Sequence, residues 1–221
     1  IAARGTSSAA QRRMLHRTRT VLTVASVLLL ATASCHDDTA PATGDDDADA
    51  ASAEGEARGD ALASRFDLSG DDAVLAAGKI GAVLVAIHDG EITHAQVAAR
   101  VAADVRVRNL AARLMQVHTD LAGVVNRLLD SRGIALVACE VSDALYTEAD
   151  ATLARLQTST GADAFDGEYI RAQIATHAEA FVLTGRLIET APFSDLLDLT
   201  ASARLTVAEH RVQIEELLRA L

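Results

Sequence analysis

Apolar residues recur at helical spacing along most of the chain, from about Ala73 to the C-terminus. The first segment, about Ala73–Ala102, carries a stripe through Ile80, Leu84, Ile87, Glu91, His94, Ala98 and Val101. Steps of four and three alternate, as on the inner face of a bundle helix. Gly78, Gly81 and Gly90 weaken this helix, and a bend or break is expected near Asp89-Gly90. A second segment, about Val105–Ser131, has Asp104 as its expected N-cap and Gly133 as its stop. Its stripe is Ala111, Leu114, His118, Leu121, Val125 and Leu128. A shorter helix is predicted near Asp143–Thr158. The next long one runs from about Asp163, the expected N-cap, to Thr190, with Ile170, Ile174, His177, Phe181 and Ile188 on its stripe. Pro192 separates it from the last, about Ser194–Leu221, striped by Leu196, Leu199, Ala203, Val207, His210, Ile214, Leu217 and Leu221. Each long helix would span about 40 Å. The pattern predicts an all-α fold, an up-down four-helix bundle with a short connecting helix.

The polar residues on those stripes carry the candidate chemistry. Of the five His within the helical part, His94, His118, His177 and His210 fall on four different stripes, near helix midpoints. Glu91 precedes His94 by three residues. Helix midpoints meet at one level in an antiparallel bundle, so these side chains are expected to converge. Imidazoles converging with a carboxylate suit one transition-metal ion: Zn, Fe, Mn or Cu. A hydrogen-bonded layer of buried His accounts for the same pattern without a metal. A di-iron carboxylate centre needs Glu-x-x-His on two helices. Met115, Ile174 and Val207 stand three residues before the other stripe His, so that centre is disfavoured. His88 adjoins the stripe and is expected at the surface, and Asp120 and Glu179 are expected to be solvated charges.

Composition bounds the rest. The chain has 221 residues, 3% aromatic, no Trp and two Pro, which disfavours a β-sandwich or barrel. A net charge of −11 argues against a nucleic-acid binder, and no Gly-rich phosphate loop occurs.

The charge is unevenly spread. Residues 1–35 carry five Arg and no acid. From Met14, the expected start, a short basic region leads into an apolar run over Val21–Thr32 and then Thr32-Ala33-Ser34-Cys35. That run is too short to span a bilayer, which takes about twenty residues, but suits a signal peptide core. Cys35 after small residues is similar to a bacterial lipobox, in which the Cys is lipidated, although Thr32 stands where Leu is usual. A plain secretory signal is the alternative. Residues 36–72 carry twelve acids against Arg58 and Arg65. Such a segment buries little apolar surface and is expected to be a disordered tether. Asp45, Asp46, Asp47 and Asp49 lack EF-hand spacing. Cys139, in an apolar stretch, is expected to be a buried, inert thiol.

The run Val105-Arg-Val-Arg-Asn-Leu-Ala-Ala-Arg-Leu-Met-Gln-Val-His118 resembles a helix of the bacterial family named domain of unknown function 4142, whose members are often labelled outer-membrane proteins. So do Phe165-Asp166-Gly-Glu-Tyr169 with His177 eight residues on, and the late His210. The resemblance covers about residues 72–221 and implies a ferritin-like bundle with no settled activity. It marks Asp166 and Tyr169 as motif residues that support the site. Val117 and Thr176 stand where the family commonly has Asp, and the Pro that often precedes its last His is missing from Arg204–His210. Loss of those Asp would remove carboxylates that orient metal-bound imidazoles.

The resulting expectation has three parts: a leader and lipoprotein signal over 1–35, an acidic tether over 36–71, and a ferritin-like domain over 72–221. The protein would be exported to the cell envelope, lipid-anchored through Cys35 to the outer membrane or facing the periplasm. Its function would be binding or stress-related rather than catalytic, through a metal at Glu91, His94, His118, His177 and His210. The alternative is an interaction module without metal, which binds a protein or envelope partner and uses its His layer for packing alone.

Overall fold

A computed structural model describes residues 43–159 and 161–221. The leader, Cys35 and the first part of the expected tether lie outside the described residues. Among those described, the chain forms six helices: α1 Thr43–Arg65, α2 Ala73–Val101, α3 Val105–Ser131, α4 Glu140–Thr158, α5 Ala162–Thr190 and α6 Ser194–Ala220.

The boundaries follow local chemistry. Asp72 caps α2, its carboxylate accepting from the Val74 and Leu75 amides at 3.0 and 2.8 Å. Asp104 caps α3 through the Arg106 amide. After α3 the chain turns at Gly133, whose φ of 67° is left-handed. Helix α4 begins at Glu140, earlier than the expected Asp143, and α5 has Gly161 rather than Asp163 at its N-cap. The expected bend near Asp89-Gly90 is absent: α2 is continuous. Its glycines serve close approach. A Cβ on Gly90 would lie 3.1 Å from the Ala149 Cβ of α4, and one on Gly78 would lie 2.6 Å from the Ala135 carbonyl.

Two apolar clusters make the core. One contains Ile80, Leu84 and Ile87 of α2, Leu129 of α3, Leu183 and Leu187 of α5 and Leu196 of α6. The other contains Ala95 and Ala98 of α2, Leu110 and Leu114 of α3, Ile170 and Ile174 of α5 and Ile214 of α6. Every helix reaches from one cluster to the other, so successive helices alternate in direction. The four long helices do not follow the expected up-down order, because α4 returns the chain between α3 and α5, which run the same way. Contacts join α2 to α3, α3 to α6, α6 to α5 and α5 to α2, while α1 lies along α5 and α4 along α2.

Helix α1 corrects the expectation of a disordered tether for residues 43–65. Its buried face is Ala48, Ala51, Gly55, Gly59 and Leu62, continued by Phe66 beyond its end. These are mostly small side chains, and the two backbones come close: a Cβ on Gly59 would lie 2.8 Å from the Glu179 carbonyl of α5. Arg58 joins Glu179, and Arg211 of α6 joins Ser52 and Glu56.

Candidate metal centre

The stripe positions read from sequence place a polar layer between the two apolar clusters. His88, Glu91 and His94 of α2, His118 of α3, His177 of α5 and His210 of α6 are all buried there. All but His88 occupy positions where the helical repeat would otherwise put an aliphatic core residue.

His118, His177 and His210 form the centre. One ring nitrogen from each lies within 4.8 Å of the other two, and ring centroids are 5.3–5.5 Å apart. His177 Nε2 and His210 Nδ1 are 3.3 Å apart. Metal–imidazole bonds of about 2.0–2.1 Å at tetrahedral angles put ligand nitrogens about 3.3–3.4 Å apart, so this edge already has the right length.

Hydrogen bonds fix part of the protonation pattern. His177 Nδ1 lies 3.0 Å from the Gln173 carbonyl, which only accepts, so Nδ1 carries the proton. In the neutral ring, Nε2 then presents a lone pair to the centre. His88 Nδ1 and His118 Nδ1 are 3.1 Å apart, so one donates to the other. With His118 as donor, its Nε2 is also a lone pair. That Nε2 is buried and has no hydrogen-bond partner among the described residues.

Burial keeps these rings neutral. It lowers the pKa of His88 and His177 to about 4 and of His210 to about 3, with repulsion from neighbouring His in the same direction. His118 is pushed well below the ordinary value by the same two causes. Neutral imidazole is the form that binds metal.

The other expected ligands stand further out. Glu91 Oε1 lies 3.6 Å from His177 Nδ1, on the side of the ring turned from the centre. This is the place of a carboxylate that orients a metal-bound imidazole. Burial raises the Glu91 pKa, countered by His94, Thr176 and Gln173. His94 turns toward α4, its Nε2 2.9 Å from the Ala149 carbonyl.

Asp166 serves the scaffold: its carboxylate accepts from the Ala103 and Asp104 amides at 3.0 and 2.6 Å and pins the α2–α3 turn. Tyr169 is fully buried beside Phe165, and burial, then Glu91, push its phenol well above the usual pKa.

The sequence profile of a family described as domain of unknown function (DUF4142) matches residues 71–217. The chain belongs to this family. No curated protein and no solved structure matches it significantly. The DUF4142 match contains the whole polar layer and leaves α1 outside.

Three site residues were misread from sequence. His88 is buried rather than exposed, because α2 is covered on nearly every side along Ile80–His88. Glu179 is buried rather than solvated, its carboxylate held by Arg58 at 2.9 Å. Arg58 belongs to α1 rather than to a disordered tether. Asp120 is exposed, as expected.

Proposed function

We propose that this protein is a metal-binding domain of the bacterial cell envelope, holding one transition-metal ion at His118, His177 and His210. One observation carries the reading. Three buried imidazoles from three helices converge, one presents a lone pair by virtue of its Gln173 bond, and another has an unpartnered nitrogen. His88 and Glu91 would orient two of the ligands from behind. An all-imidazole set suits Zn, Cu or Fe.

In this reading α2, α3, α5 and α6 are a ferritin-like four-helix bundle, with α4 in the single long crossover such bundles carry. The lipobox-like Cys35 would anchor the domain, facing the periplasm or at the outer membrane. Radiolabelled palmitate incorporated by the full chain and lost in Cys35→Ala tests the anchor.

The competing reading is a hydrogen-bonded layer that fixes packing in an interaction module. The 3.1 and 3.3 Å imidazole pairs favour it, since each also fits a hydrogen bond. Elemental analysis separates the two. Untagged protein purified without chelator should hold about one metal per chain more than His118→Ala/His177→Ala. Equal metal content in the two proteins after incubation with Zn, Fe, Mn and Cu would leave the packing layer.

A further inference from the structure

Glu91 and His94 both turn away from the three-imidazole centre, and both line a second cavity. It lies between α2, α4 and α5, half open to the surface, has a volume of about 30 Å³, and is also lined by Glu148 and Glu179. A cavity needs about 10–15 Å³ for one water-sized occupant, so this one takes an ion and no organic molecule.

Two buried atoms lack partners there. Glu91 Oε2 and His94 Nδ1 make no hydrogen bond, although their residues are 4% and 1% exposed. They come from one helix face, three residues apart. His94 is oriented as metal-bound imidazoles are: its Nε2–H donates to the Ala149 carbonyl at 2.9 Å, which leaves Nδ1 as the lone pair. The outer wall is acidic. Glu179 is 5% exposed and accepts from Arg58 Nε at 2.9 Å, while Glu148 lies 3.6 Å from Arg58 Nη1 and 3.7 Å from Arg155 Nη1. The guanidinium, delivered by α1, meets two of three carboxylates and reaches neither unpartnered atom.

We propose that this cavity is a second cation site. It takes a divalent first-row metal through Glu91 Oε2, His94 Nδ1 and the carboxylates of Glu148 and Glu179, with Arg58 as a tethered competitor. Carboxylate oxygens with one imidazole suit Mn(II), Fe(II) or Zn(II), whereas Ca(II) and Mg(II) prefer oxygen alone. These ligand atoms do not yet converge as the three imidazoles do, so binding must draw Glu179 inward from Arg58 and Glu148 inward from Arg58 and Arg155. Glu91 would then join two centres, Oε1 at His177 and Oε2 at the cavity ion. The inference does not depend on metal at the three-imidazole centre.

The test is Mn(II) titration of the metal-free full chain, followed by loss of the free-ion electron paramagnetic resonance signal. The wild type and His118→Ala/His177→Ala should each bind Mn(II) in the cavity. His94→Ala and Glu148→Gln should weaken that binding at least about tenfold, as loss of a ligand or its support does. Arg58→Gln should tighten it. Glu148 is half-buried, so its variant separates ligand loss from misfolding, with circular dichroism as the check. The proposal is overturned if neither wild type nor Arg58→Gln binds Mn(II), or if His94→Ala and Glu148→Gln bind as wild type. It is also overturned if binding vanishes in His118→Ala/His177→Ala but survives in Glu148→Gln. The ion would then belong to the imidazole centre, and the cavity would hold an Arg58–glutamate network only.

Discussion

Acid should unfold the metal-free protein well above the pH at which its carboxylates titrate. His88 and His177 have pKa values lowered to about 4, and His210 to about 3, by burial first. In the unfolded chain each titrates near 6.5. A group with a depressed folded pKa is neutral in both states above 6.5, so its stability is fully present there. Below 6.5 the unfolded state binds more protons, and stability falls until the folded pKa is reached. Between pH 7 and 5 the loss is about 2 kcal/mol for each of the three, or about 6 kcal/mol together. Glu91 and Glu179, raised by burial, run the other way and reduce this figure. Arg113 and Arg211 also face the layer and oppose protonation of His210 and His177. Against a native stability of about 5–15 kcal/mol, the loss is a large share of the margin. Urea denaturation of chelator-treated protein at pH 7, 6 and 5 measures it. His210→Leu should flatten the slope by about one proton. Equal unfolding free energies across this range would refute the neutral buried layer.

Four further outcomes follow from the geometry. His88→Ala should lower metal affinity at the three-imidazole centre by about 10–100-fold without changing stoichiometry, because it removes a partner of a ligand; competition with a chelating dye reads this. Asp166→Ala leaves the Ala103 and Asp104 amides without their acceptor and should cost about 1.5–3 kcal/mol in urea denaturation, with metal content unchanged. Gly55→Val places atoms against the Ala175 carbonyl and should release α1, so that limited proteolysis cuts within residues 43–72 while α2–α6 persist. Leu114→Ala, at a position 1% exposed, should cost about 2–5 kcal/mol by the same denaturation assay.

The helices from α3 onward were legible because each buries an apolar stripe against a solvated face, and that contrast is what periodicity detects, whereas α2 is buried all round along Ile80–His88 and was legible from its apolar run and its capping Asp72. Helix α1 was not. Its inner face is Ala and Gly, and its acids dominate any average over the segment. It is held by close backbone approach and by Arg58, neither of which has a hydropathy signature, and by Leu62 and Phe66, too few apolar residues to make a periodic stripe. The convergence of His118, His177 and His210 was legible for the same reason as the helices, since polar residues on an apolar stripe must meet inside. Side-chain direction was not. Spacing put Glu91 and His94 on the stripe, yet Glu91 stops behind His177 and His94 turns to α4. Glu179 hid its burial because its partner lies more than a hundred residues away.

Counting donors and acceptors separates the two readings of the imidazole layer. A neutral ring has one donor and one acceptor. The Gln173 bond fixes His177, and the 3.3 Å contact then requires His210 Nδ1 to donate if no metal is bound. At the His88–His118 pair either ring can donate, and in both cases two nitrogens, His88 Nε2 and His118 Nε2, are left buried and unpaired. Each such atom costs about 1–3 kcal/mol, and an aliphatic pair of similar volume would cost nothing of the kind. A layer kept only for packing therefore carries a penalty that simpler side chains avoid. With His118 donating to His88, a metal takes the His118 Nε2 lone pair and leaves one nitrogen unpaired instead of two. It also replaces the His177–His210 hydrogen bond with two stronger ligand bonds. On the proposed reading, a metal would remove part of a penalty that packing alone leaves in place.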